Sequence, residues 1–156
     1  MDILNVVSYQ TVRSTLGMSD TDVDDTVMAS LNLQDEVEID LQGWLPDYTE
    51  VIADAWTDHS QADRDAVFLR LKAFIKYYAA ALLAEAAPGL LLRRISDGEN
   101  EAQRFDKVNP QELANRFYVK ADELRAAIVE IVNPTVVEQV SLFSVVNSSY
   151  DPVTGQ

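Results

Sequence analysis

Asp20-Thr-Asp22-Val-Asp24-Asp25 carries the closely spaced carboxylates of a calcium loop. Such a loop needs glycine at its sixth position and a bidentate glutamate at its twelfth, and those positions hold Asp25 and Leu31. The run reads instead as helix capping, with acids placed where a helix N-terminus favours negative charge. Asp58 and His59 have the types of an acid–base pair, but neighbours in sequence point apart. No Gly-x-Ser-x-Gly nucleophile turn accompanies them. His59, the one histidine, reads as a surface or cap residue. Ser96-Asp97-Gly98-Glu99 has a single glycine and cannot cradle phosphate. Arg93-Arg94 is too small for a nucleic-acid patch and reads as a subunit contact or a neutraliser of nearby acids. With 26 acids in the chain, any one carboxylate pair carries little information. No enzyme, metal site or cofactor is expected.

The elements that would position these residues are mostly helical. Ser8 caps a short helix through Thr15, and Gly17 fits the left-handed stop after it. Ser19 and Asp20 offer caps for a second helix over about 21–43, whose stripe is Val23, Val27, Leu31, Val37, Leu41 and Trp44. Gly43 and Pro46 stop it. Asp47 opens a shorter helix bearing Tyr48, Val51, Ile52, Ala55 and Trp56. Ser60-Gln-Ala-Asp63 resembles a capping box and opens the strongest helix, with stripe Val67, Leu71, Phe74, Tyr78 and Leu82. Ala79, Ala80 and Ala81 let another helix come close, and Pro88-Gly89 is expected to end the helix. Residues 90–109 suit a small hairpin or ordered loop. Asn109 then caps, Pro110 takes the first helical position, and a helix with stripe Leu113, Phe117, Ala121, Leu124, Ile128 and Ile131 runs to about 132. The aromatics on these two helices are expected in the core.

After Asn133-Pro134 the character changes. Val136, Val137, Val140, Leu142, Phe143, Val145, Val146 and Tyr150 make a strand-prone segment whose only acids are Glu138 and Asp151. It can pack as a strand on its own domain or add to another chain through main-chain bonds. The expected fold is all-α: a bundle of four to five helices over residues 1–133, with an extended, strand-like docking arm over 134–156.

Composition bounds the function. The 156 residues include 12 bases and no cysteine, for a net charge of −14. Residues 1–65 hold 15 acids against Arg13 and Arg64, whereas residues 66–156 hold 11 acids and 10 bases. Such a chain repels phosphates, so neither DNA or RNA binding by counterion release nor adhesion to anionic lipid is expected. Disulfides and thiolate chemistry are excluded. The longest apolar stretch, around Ala79–Leu83, is too short to span a bilayer, and Asp2 before Ile3–Val7 does not suit a secretory leader.

The order of the pieces is similar to that of the tailed-bacteriophage head–tail connector adaptors, over about residues 5–133. The resemblance rests on the short opening helix Ser8–Leu16 and the acidic start Ser19-Asp-Thr-Asp-Val-Asp-Asp25. It continues through the long helix Asp63–Ala87 and the turn Arg94-Ile-Ser-Asp-Gly-Glu99. It ends on the helix Gln111–Val132 with Leu113-Ala-Asn-Arg-Phe117 and Ala121-Asp-Glu-Leu124. The stretch with Trp44 and Trp56 matches less well. The resemblance implies a virion protein, made in the host cytoplasm, forming a dodecameric ring beneath the portal protein. The ring would join the DNA-filled head to the tail, meet a tail or stopper protein, and extend the channel. Double-stranded DNA would pass an acidic wall without specific binding. The arm would dock on the portal. Arg93, Arg94, Arg104 and Arg116 are the candidate subunit contacts, with bases of the later helices facing acids of the adjacent copy. One rival is an acidic DNA mimic that binds a basic partner, which leaves the Val-rich arm unexplained. Another is a helical enzyme subunit or regulator with a site shared between chains.

Overall fold

The structure, a computed structural model, describes residues 6–96 and 109–133. These form an all-α fold of six helices: α1 (Tyr9–Thr15), α2 (Asp25–Ser30), α3 (Leu33–Trp44), α4 (Tyr48–Ile52), α5 (Gln61–Ser96) and α6 (Pro110–Val132). The arm at 134–156, with all eight of its candidate docking residues, lies outside the described residues. No helix among the described residues is long and apolar enough to cross a membrane.

Several helix ends follow directly from local chemistry. The Ser8 hydroxyl accepts from the Thr11 amide at 3.3 Å. At the other end of α1, Gly17 adopts φ +70°, and the amides of Gly17 and Met18 return to the carbonyls of Ser14 and Arg13. That is the paired closure in which glycine takes the left-handed position without a Cβ penalty. Ser60 and Asp63 form the box opening α5: the Asp63 amide donates to the Ser60 hydroxyl, which donates to the Asp63 carboxylate. Asn109 caps α6, with Pro110 behind it.

Besides α4, which ends at Ile52 short of the expected Ala55 and Trp56 and has no capping bond from Asp47, two expectations fail. The single helix over about 21–43 is instead α2 and α3, broken at Asn32, whose φ of 51° is left-handed. The α2 cap is Asp24, accepting from the Val27 amide at 2.8 Å, rather than Ser19 or Asp20. The break has a packing reason. Leu31 and Val37 are six residues apart and cannot share a helical face, whereas Leu33, Val37 and Leu41 recur every four residues and all are buried. The second failure is Pro88. It does not end α5, which continues to Ser96, so residues 90–96 are helix rather than hairpin or loop. Proline withholds one amide from the ladder, at a cost of about 3 kcal/mol or more in a helix interior. Strong helix formers on both sides, Ala84–Ala87 and Leu90–Arg94, favour continuation.

The central element is α5. It packs against α1, α3, α4 and α6. Its fully buried side chains, Val67, Leu71, Phe74, Ile75 and Leu83, therefore spread round more than one face. Helix α6 runs antiparallel to it, as the pairs Tyr77–Phe117 and Phe74–Arg125 require. On α6, Ala114, Ala121 and Ile128 are buried at seven-residue steps, and Phe117, Leu124 and Ile131 pack half-buried three residues after each. This is the seam of a coiled-coil pair. Of the aromatics expected in the core, Phe74 is fully buried, while Phe68, Tyr77, Tyr78 and Phe117 are half-buried.

Candidate interaction surface

The seam between α5 and α6 separates two flanks of opposite charge. On one flank, the Lys76 ammonium lies 4.2 Å from the Tyr77 ring centroid, and Tyr77 stacks on Phe117 at 6.0 Å. Lys120 approaches the same tyrosine from α6. Its pKa is raised, first by its bond to Glu123, then by that carboxylate's charge, with Tyr77 adding a little. Arg70, Lys72 and Lys76 make no ion pair among the described residues. Leu69, three residues before Lys72, is 67% exposed.

The other flank is built on carboxylates. Tyr78 meets Tyr118 edge to face at 5.7 Å, and the Tyr118 hydroxyl donates to Glu85 at 3.0 Å. Burial raises the pKa of Tyr118 first, followed by that hydrogen bond, the charge of Glu85, and smaller contributions from Tyr78 and Glu36. Tyr78 is raised by burial and then by Asp40, with Glu36 and Glu85 adding to the effect and Arg125 opposing it. Tyrosines held protonated in this way are hydrogen-bond donors, not bases. Beside them, Arg125 of α6 donates to both oxygens of Asp40 on α3, at 2.6 and 2.7 Å. The Trp44 indole donates to Asp40 at 2.8 Å, and the guanidinium lies over the rings of Trp44 and Phe74. One polar cluster thus ties α3, α5 and α6 together. Ile39, one helical step beyond Glu36 on the same side of α3, is 66% exposed.

The candidate residues of the sequence fall unevenly on this frame. Arg116 is exposed and bonded to Glu112 on its own helix at 2.5 Å. Arg93 and Arg94 lie near the end of α5, and Arg104 lies outside the described residues. Arg125, on the same helix as Arg116 but not among those candidates, pairs with Asp40 of its own chain. The residues that sequence reasoning missed are Asp40 and Arg125, 85 positions apart, and Arg13. Arg13 is 6% exposed and donates to the Val23 carbonyl and to Asp25. Its position on the buried face of α1, next to Val12, was the available signal.

The acidic run that resembles a calcium loop is engaged locally. Asp24 caps α2, Asp25 pairs with Arg13, and Asp22 accepts from the Ser19 amide and hydroxyl. Among the described residues no three His, Asp or Glu side chains converge in a way that could hold a metal ion. His59 stacks on Trp56 with centroids 3.5 Å apart, and its Nδ1 has no hydrogen-bond partner among the described residues. What the geometry offers is two charged, partly apolar surfaces. Compared with protein-family models, curated proteins and solved structures, the chain matches none of them.

Proposed function

We propose that this chain is a structural adaptor of a tailed-phage virion, forming a ring between portal and tail and extending the DNA channel. The observation that carries the reading is the order of helices. A short serine-capped helix comes first, an Asp24-capped helix and two further acidic helices follow, then a long central helix, and last an amphipathic helix opened by Asn109-Pro110. That is the order of the connector adaptors the sequence resembles. The charge supports it, because acids concentrated in residues 1–65 make a wall that DNA slides past rather than grips. The opposite flanks of the α5–α6 pair support it too. A ring contact joins two different faces of one chain, so each copy must carry both.

The test is binding to a portal protein, which this reading expects among the neighbouring reading frames. The full chain is expected to load onto purified portal rings and appear as an added ring by electron microscopy. A chain cut after Asn133 should keep its helical circular dichroism and cooperative melting while portal binding falls at least tenfold. If the full chain does not bind portal rings at micromolar concentration, the reading is wrong.

A further inference from the structure

We propose that the lysine flank of one copy docks on the carboxylate flank of the next, with Leu69, Lys72 and Lys76 of α5 meeting Glu36, Ile39 and Gly43 of α3. Each of these faces has an exposed large aliphatic side chain beside its charges: Glu36 one step from Ile39, and Lys72 one step from Leu69, whose neighbour on the other side is the acid Asp65. Leu69 is 67% and Ile39 66% exposed, two of the three large apolar side chains so exposed among the described residues. The spacings agree. Both triplets step by three and then four residues, which keeps each on one helical face about 10 Å long. In the antiparallel register Lys76 meets Glu36, and Leu69 reaches Gly43, where a Cβ would find open space.

The signs select a second copy of this chain as the occupant. Lys72 and Lys76 have no carboxylate of their own among the described residues. In a chain of net charge −14 the abundant complementary surface is its own acidic half. The arm at 135–150 is a poorer occupant, since Glu138 is its one acid. The two faces differ, so the contact is heterologous and continues from copy to copy. It deepens the ring reading and rests on it for closure. Repulsion between like-charged chains keeps the contact weak in dilute solution, so it must be trapped to be seen.

The absence of cysteine makes trapping clean. Two full-length variants, Asp65→Cys on α5 and Gln42→Cys on α3, are mixed and treated with a short bismaleimide. Mixed 65–42 dimers are expected at several times the yield of 65–65 and 42–42 dimers. Adding Lys72→Glu and Lys76→Glu to the first variant should cut that yield about tenfold, and Glu36→Lys in the second should restore part of it. Melting curves matching the wild type confirm that the variants fold. Mixed dimers no more abundant than like dimers, or a yield indifferent to both charge reversals, would overturn the contact. The two proposals separate cleanly. Portal binding without the mixed crosslink removes this contact and leaves the adaptor reading. The crosslink without portal binding removes the adaptor reading and leaves the contact.

Discussion

Residues 6–56 and the α5–α6 pair solve the same problem by different means. The first region has four helices of 7, 6, 12 and 5 residues, each too short to persist alone in water. Polar groups fix their ends: Ser8 and Asp24 as caps, Arg13 on Val23 and Asp25. Their stability comes from burying Met28, Val37, Leu41 and Leu45 in the core that includes α5. The second region has helices of 36 and 23 residues joined along a periodic apolar seam. Along the periodic pair, Arg116, Lys120 and Arg125 of α6 are ion-paired, while Arg70, Lys72 and Lys76 of α5 make no ion pair among the described residues. Where helices are short, many acids are occupied in closing turns.

The sharpest way to break this comparison is Phe74→Ala. Phe74 is fully buried, meets Trp44 edge to face at 5.1 Å and lies beneath Arg125, so it belongs to both regions. Its truncation should cost about 3–5 kcal/mol in urea unfolding, as one cooperative transition. Two separate transitions would show that the regions do not share a core.

Pro88→Ala acts on the long helix alone. Pro88 is exposed, so alanine meets no steric limit, and it restores the amide withheld from the ladder. A gain of about 1–3 kcal/mol is expected, read as a higher Tm. An unchanged or lower Tm would mean the proline fits a backbone the ladder does not need.

A smaller effect tests the polar tie between the regions. Asp40→Ala, Arg125→Met and their double variant form a cycle whose coupling should be about 1 kcal/mol, because the Arg125 side chain is 33% exposed and solvent screens the pair. Zero coupling would leave the apolar seam and Phe74 as the whole connection.

The second region was the more legible in sequence, for reasons tied to residues. Asn109, Pro110 and the stripe through Ile128 act within a few positions of one another, so α6 is written locally. Gly17 is equally local. The break at Asn32 was readable in the six-residue gap between Leu31 and Val37, but a run of apolar residues at loose helical spacing hides it. Pro88 misleads because its local cost is outweighed by the helix formers around it. The bond between Asp40 and Arg125 was not readable, since nothing in either neighbourhood names the other. The same holds for the two flanks. Tyr77 and Tyr78 are adjacent in sequence and face opposite charge only because α6 docks between them.

The smallest expected effect isolates the carboxylate flank. Tyr118 is held protonated above its ordinary value of 10.0 by burial and by its bond to Glu85. Below about pH 10 the tyrosine is protonated in both folded and unfolded chains, and its contribution is fully present. As pH rises past that point the unfolded chain loses its proton first. The folded chain then binds more protons, so stability falls with rising pH until the folded group also titrates. Tyr118→Phe removes this term. At pH 7 it should cost less than about 1 kcal/mol, because the bond to Glu85 is exposed. Between about pH 10 and 11 the variant should lose less stability than the wild type in parallel urea titrations. An equal alkaline loss in both proteins would mean that neither burial nor Glu85 raises Tyr118 in solution. That flank would then carry Glu85 as a free charge, more readily available to a neighbouring copy.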